Sequence, residues 1–176
     1  TVRASLPFRY RSNHRTDPEY TFLAFLLGVA AGARRFAQLQ MLRCDEALRQ
    51  LCAGPAFPCD DTVRNFFQRF GQAEVERFFP PLTRWLLAQQ QPRACLLDVD
   101  STVFQRYGRQ QGAVRGYNPT RRKGACHHPL LAFISEPMLV LHSWLRSGNA
   151  ADAGGAVPFM QEALALLPAG WRVAGL

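Results

Sequence analysis

The spacing of apolar residues changes character once along this chain, at Gln91-Pro92, and that change limits the fold more than any other feature. From Asp17 to about Gln91 the apolar positions recur at helical intervals, with no period-two alternation. Beyond Pro92, "ACLLDVDSTVF" reads as a strand by its β-branched content and its place after a proline break, and "PLLAFIS" and "MLVLHSWL" read as two more. The expected class is α+β: a helical domain over residues 1–91, followed over 92–176 by the first part of a mixed α/β domain. With 176 residues the chain has room for one ordinary domain, or for a small helical domain and part of a second.

Local signals place the helices. Thr16 or Asp17 is suited to cap a helix that has Pro18 at its first position, where a missing N–H is harmless. "FAQLQMLRCDEALRQLCAG" predicts a single amphipathic helix closed by Gly54. Asp60 or Asp61 can cap "TVRNFFQRF", and Glu74–Gln91 predicts a further helix broken near its start by Pro80-Pro81. A helix, a short Gly/Pro turn and a second helix bearing Arg64, Asn65, Gln68 and Arg69 is compatible with a helix-turn-helix reading DNA through Arg64 and Arg69. A plain bundle with a solvated arginine face is the alternative.

In the second half, "PLLAFIS" and "MLVLHSWL" are separated only by "EP", which predicts an antiparallel hairpin. A Gly-rich turn then leads to a helix from about Pro158 to Leu167, and "WRV" begins another strand. Strand, long basic loop, hairpin, helix, strand is how an RNase H-like sheet begins. A βαβ-wound domain would place a helix soon after its first strand.

The 21 Lys+Arg outweigh 13 Asp+Glu for a formal charge of +8, which favours a polyanionic partner such as nucleic acid. Cys44, Cys52, Cys59, Cys95 and Cys126 are odd in number and contain no C-x-x-C, so neither a zinc site nor a disulfide framework is indicated, and a reducing cytosol fits. "FLAFLLGVAAGA" falls short of the roughly 20 residues a membrane span needs and predicts a buried helix without a membrane role. The start at Thr1 and the apolar finish "GWRVAGL" lead to the expectation of a fragment.

Asp98, Asp100 and Thr102 share one strand face, and Leu97, Val99 and Val103 the other. Adjacent carboxylates repel and are costly to bury unless a cation neutralises them. Hard-metal or phosphoryl-transfer chemistry answers that requirement; a solvated or arginine-paired structural pair is the alternative. Two enzyme classes share these letters: aspartate-nucleophile phosphatases, with Asp98 as nucleophile and Asp100 as general acid, and metal-dependent nucleases or transposases. The phosphatase also needs a lysine, for which Lys123 is the sole candidate, and a later acidic pair, whereas Glu136, Asp152 and Glu162 are isolated.

Next comes "FQRYGRQQGAVRGYNPTRRKGACHHP", with Arg106, Arg109, Arg115, Arg121, Arg122 and Lys123, no acidic residue, Tyr107 and Tyr117 interleaved, and Gly108, Gly112, Gly116 and Gly124. Arginines neutralise phosphates, tyrosines stack on unpaired bases and glycines let backbone approach a ligand. A merely soluble loop is the alternative. Arg146, in "LRSGN", is placed to reach a DNA phosphate, and Asn149 to cap the following helix. His127 and His128 are adjacent and face apart, against a shared metal, and His142 fits a satisfied core histidine.

"LDVDSTVFQRYGRQQGAVRGYN", "HPLLAF", "LRSGNAADAGGA" and the spacing up to "ALLP" resemble insertion-sequence transposases with a DDE catalytic domain of the group 1 kind. The segment "FRYRSNHRTDPEYTFLAFLLGVAAGARRFAQLQMLRCDEAL" is similar to that family's helical amino-terminal region. The resemblance implies a metal-dependent DNA strand transferase with three acidic ligands on an RNase H-like fold. Asp100 matches the first catalytic aspartate, with Asp98 as a supporting metal carboxylate. It implies a second aspartate after "ALLP", in an Arg-x-Asp-Ser-Gly-Phe context that would fall just past "WRVAGL", and a glutamate much further on.

It further implies Mg²⁺ or Mn²⁺ as cofactor, terminal inverted repeats and target DNA as partners, a homo-oligomer in the intact enzyme, and a bacterial, nucleoid-associated cytoplasmic location. With one of three ligands these residues should hold Mg²⁺ poorly and not cleave DNA alone. A DNA-binding transposase remnant without catalysis is the second reading, and the phosphatase the third.

Overall fold

The computed structural model describes residues 2–6, 16–119, 124–151 and 153–176. The backbone forms two compact units, Thr1–Leu82 and Thr83–Leu176, so the division falls inside a helix and ahead of Gln91.

The first unit is helical: α1 (Val2–Ser5), α2 (Pro18–Ala30), a 3-10 turn (Phe36–Leu39), α3 (Gln40–Arg43), α4 (Glu46–Leu51), α5 (Asp60–Phe67) and the start of α6 (Gln72–Ala88). Asp17 caps α2, its carboxylate accepting from the Glu19 N–H at 2.8 Å, with Pro18 at the first position. α2 is buried on one face only: Phe22, Ala24 and Gly28 turn inward, while Leu23, Leu26 and Val29 are exposed. Among the described residues no helix is long and apolar enough to cross a membrane.

The single helix expected over Phe36–Gly54 is three pieces. Asp45 breaks it, because its side chain accepts the Leu48 N–H at 2.8 Å and so starts α4 afresh. The left-handed residue after α4 is Ala53 (φ 48°) and not Gly54. Gly54 instead makes room for the Tyr20 ring, which a β-carbon would strike, and whose hydroxyl donates to Pro55 O at 2.7 Å. Cys59 occupies the N-cap of α5, putting Asp60 and Asp61 in the first turn, where carboxylates complement the helix dipole.

Pro80-Pro81 does not break α6. The carbonyls that lose their donors belong to Glu76 and Arg77, both exposed, so water can satisfy them. Among the described residues two apolar clusters lie in this unit, Ala24, Leu39, Leu42, Phe57 and Val63 in one and Phe22, Phe66 and Phe78 in the other. Phe22 meets Phe78 edge-on at 5.0 Å.

The second unit carries β1 (Ala94–Ser101), β2 (Phe104–Gln105), β3 (Val114–Arg115), β4 (Ala125–His127), β5 (Leu130–Ile134), β6 (Leu139–Trp144), α7 (Ala156–Ala165) and β7 (Arg172–Gly175). The main sheet has the order β6-β5-β1-β7. β5 and β6 form the expected hairpin, β5 runs antiparallel to β1, and β7 returns parallel to β1 after α7. Cys95, Leu97, Ala132, Ile134 and Leu141 from the strands meet Phe159 and Ala163 of α7 and its C-cap Leu166 in one core.

The stretch expected as a long basic loop is partly ordered into a second sheet, β2-β4-β3. Gly155 (φ 77°), not Asn149, precedes α7; Asn149 Oδ1 accepts the Ser147 hydroxyl at 2.8 Å. The chain is thus α+β, helical first and then mixed sheet.

Candidate functional site

Alternation along β1 puts Cys95, Leu97 and Val99 toward the core and Asp98 and Asp100 on the open face, both exposed. Because neither carboxylate is buried, the desolvation cost invoked from sequence does not arise. Their mutual repulsion does. The two differ in attachment. Asp98 Oδ2 accepts the Ser135 hydroxyl at 2.5 Å, across the pair Asp98↔Phe133, whereas Asp100 Oδ1 accepts the N–H of its neighbour Ser101 at 2.7 Å. Each keeps one oxygen directed at neither partner.

Glu136, in the β5–β6 turn, spends its carboxylate on the Leu96 N–H, with both oxygens at 3.3 Å. Glu162 on α7 accepts from His142 Nε2 at 2.9 Å and Trp144 Nε1 at 2.8 Å, so His142 is satisfied as expected. Among the described residues no group of three or more His, Cys, Asp or Glu side chains is placed to hold a metal. The aspartate pair is an oxygen-donor edge, not a closed cage.

The arginine-bearing segment follows β1 directly. Tyr107 and Tyr117 are 84% and 74% exposed, and Arg109 and Arg115 are exposed with them. Arg106 is half-buried: its guanidinium lies 5.5 Å from the Phe104 ring centroid, and its Nε–H donates to His127 Nδ1 at 3.0 Å. Arg121, Arg122 and Lys123 lie outside the described residues. Gly116 and Gly148 serve the protein's own packing, since a β-carbon on Gly116 would overlap the Gly148 carbonyl and one on Gly148 the carbonyls of Cys126 and Val114.

Other sequence candidates are already engaged. Arg146 Nε donates to His128 O at 3.0 Å, and its Nη1 to Ala151 O at 3.0 Å and Gly154 O at 2.8 Å, so its fork staples the turn before α7. In the helical unit, Arg64 pairs with Asp61 and, at 3.3 Å, with Asp60 on its own helix. Arg69 follows the C-cap of α5 and is exposed.

Two buried histidines were not legible as parts of a site. His127 is 4% and His128 5% exposed, and as expected from their adjacency they contact different groups: His127 Nε2 meets Gln111 O at 2.8 Å and His128 Nδ1 meets Ala150 O at 3.2 Å. Their sequence context, "GACHHP", carries no periodicity from which such contacts follow.

An exposed carboxylate pair on a sheet, followed by an acid-free arginine and tyrosine segment, combines hard-cation donors with a surface that attracts polyanions. The family model described as Transposase DDE domain group 1 matches residues 6–174, and the chain belongs to that family. No curated protein and no solved structure matches it. Membership makes DNA the substrate class and transposition the process, in a family that generally uses a divalent metal.

Proposed function

We propose that this chain supplies the front of a DDE-type DNA strand transferase that acts at insertion-sequence ends, with Asp100 as its first metal carboxylate and Asp98 as support. The observation that carries the reading is the exposed pair on β1 inside a family match covering residues 6–174. The sheet order supports an RNase H-like domain over 92–176, since the first strand is flanked by an antiparallel hairpin and by a parallel fourth strand. Residues 1–91 would form the DNA-binding or dimerising domain of a homo-oligomer.

The donor set fits Mg²⁺ or Mn²⁺, which binds through one or two carboxylates and completes its shell with water and substrate phosphate. Asp100 and Asp98 would hold it through the oxygens not used by Ser101 and Ser135. A divalent ion held there would supply Lewis-acid chemistry, activating water or a 3′-hydroxyl and stabilising the leaving oxygen of the phosphodiester. Arg106, Arg109 and Arg115 neutralise backbone phosphates, and Tyr117 offers a ring to an unpaired base. Arg121, Arg122 and Lys123 add basic charge to the same stretch of sequence. β7 runs parallel beside β1 with Leu96 opposite Gly175, so residues extending that strand would come alongside Asp98 and Asp100, where the resemblance puts the second aspartate.

No third acid joins the pair among the described residues, which fits a reading in which these residues bind and position DNA without cutting it. The same observation favours the second reading, a non-catalytic DNA-binding remnant, over independent catalysis. The phosphatase loses support because β1 is followed by antiparallel strands and Asp98 is tied to Ser135.

Supercoiled plasmid incubated with the 176-residue chain and Mg²⁺ or Mn²⁺, alongside a mobility shift on duplex DNA, tests the proposal. Salt-sensitive binding without nicking is expected. Absence of binding at low salt refutes the DNA reading, and nicking abolished by Asp100→Asn refutes the claim that these residues cannot cut alone.

A further inference from the structure

The segment bearing Arg106, Tyr107 and Arg109 is closed by one buried side chain. The Arg106 Nε–H is always a donor, so His127 Nδ1, 3.0 Å away, must be the acceptor. The ring proton of a neutral imidazole then sits on Nε2, which donates to Gln111 O at 2.8 Å. One imidazole thus ties both ends of Arg106–Gln111, beneath a turn whose Gly112 (φ +76°) lies against the ring. The Arg106 N–H to Ala125 O bond at 2.9 Å and the Gly148 N–H to Gly112 O bond at 3.3 Å fix the same segment from its backbone.

Two consequences follow for Arg106. Its Nε is consumed and its plane is set by His127 and the Phe104 ring, while no hydrogen bond among the described residues uses its two terminal nitrogens. A guanidinium whose orientation is fixed before binding loses less side-chain entropy when a phosphate arrives.

We propose that His127, as a neutral Nε2–H imidazole, is the positioning residue that presents Arg106 and the Tyr107–Gln110 segment to a phosphodiester backbone. The inference rests on the DNA reading above and adds to it the side chain that shapes the interface. His127 itself touches no DNA; it acts through Arg106 and the Gln111 carbonyl.

The test is a double-mutant cycle on duplex DNA binding across a salt series, using wild type, His127→Phe, Arg106→Gln and the double variant. Each single change should weaken binding roughly tenfold and lower the salt slope by about one, and the double should match the singles. Additive losses, or a His127→Phe protein that is less heat-stable with an unchanged slope, overturn the proposal. Should His127→Phe fail to fold, the wild-type ring decides: long-range ¹⁵N–¹H spectra at pH 7 should show Nδ1 without and Nε2 with a proton, and the opposite tautomer or an imidazolium overturns it. Wild type that does not bind DNA overturns the DNA reading as well, whereas the additive outcome removes only this one.

Discussion

The Ser135 hydroxyl donates to Asp98 Oδ2 at 2.5 Å, binding the first residue after β5 to the carboxylate two positions before Asp100. That bond fixes the Asp98 carboxylate in rotation, which leaves Oδ1 as the oxygen available to a cation. Groups that orient a metal carboxylate typically change affinity by 10-fold or more when removed. Ser135→Ala should therefore weaken Mn²⁺ binding about tenfold in a paramagnetic resonance titration, and Asp100→Asn should weaken it further. Equal affinities for wild type and Ser135→Ala would show that Asp98 takes no part.

Gly148 has carbonyls of two strands within the volume a β-carbon would occupy, those of Cys126 and Val114. Both are backbone, so relief requires β3 and β4 to shift. Gly148→Ala should cost about 1–3 kcal/mol of stability by overpacking. Gly108→Ala, which meets only the flexible end of Gln110, should stay within about 0.5 kcal/mol. Urea titrations of both variants give the comparison, and equal midpoints would mean that the two short strands adjust freely.

How much of this was legible depended on whether the cause was periodic or singular. Burial alternation in β1 and the hairpin follow from residue pattern, and Asp17 with Pro18 marks the α2 start by chemistry that acts within one turn. The break at Asp45 was misread because an acidic residue in mid-pattern looks like a solvated helix position until its carboxylate is seen on the Leu48 N–H. Gly116 and Gly148 are 32 residues apart in sequence, and their contact is set by how β3 and β4 bring the chain together, so in sequence Gly116 reads with the basic segment as a place for ligand approach. The contacts of His127 escape sequence for the same reason: Arg106 and Gln111 come to it where β2 and β3 both pair with β4. The aspartates could be found from sequence, but not their difference in attachment.

Cys59 and Cys95 should differ in reactivity. The Thr62 hydroxyl, 3.2 Å from Cys59 Sγ, lowers that thiol's pKa, with backbone N–H groups of Thr62 and Asp61 assisting, while burial raises that of Cys95. The thiolate is the nucleophile, so a lowered pKa gives more reactive species at neutral pH. Site-resolved iodoacetamide labelling at pH 7 should modify Cys59 well before Cys95. Thr62→Val should move the Cys59 pH–rate midpoint upward; an unmoved midpoint would remove the hydroxyl as the cause.

Arg64 and Arg109 look equivalent in composition, yet their surroundings assign them unequal shares of any DNA contact. Arg64 faces Asp60 and Asp61 on its own helix, so a phosphate would have to displace carboxylates that already neutralise it, and the local charge available to DNA is negative overall. Arg109 is exposed in a stretch without an acidic residue, where each phosphate contact releases a condensed counterion. Arg109→Ala should lower the slope of log affinity against log salt by about one, and Arg64→Ala should leave it nearly unchanged. Asp60→Asn with Asp61→Asn should raise affinity, since the freed Arg64 adds a cation while two repelling charges go. If Arg64→Ala instead reduces the slope as much as Arg109→Ala does, its ion pairs open on binding and the α4–α5 pair reads DNA in the manner of a helix-turn-helix.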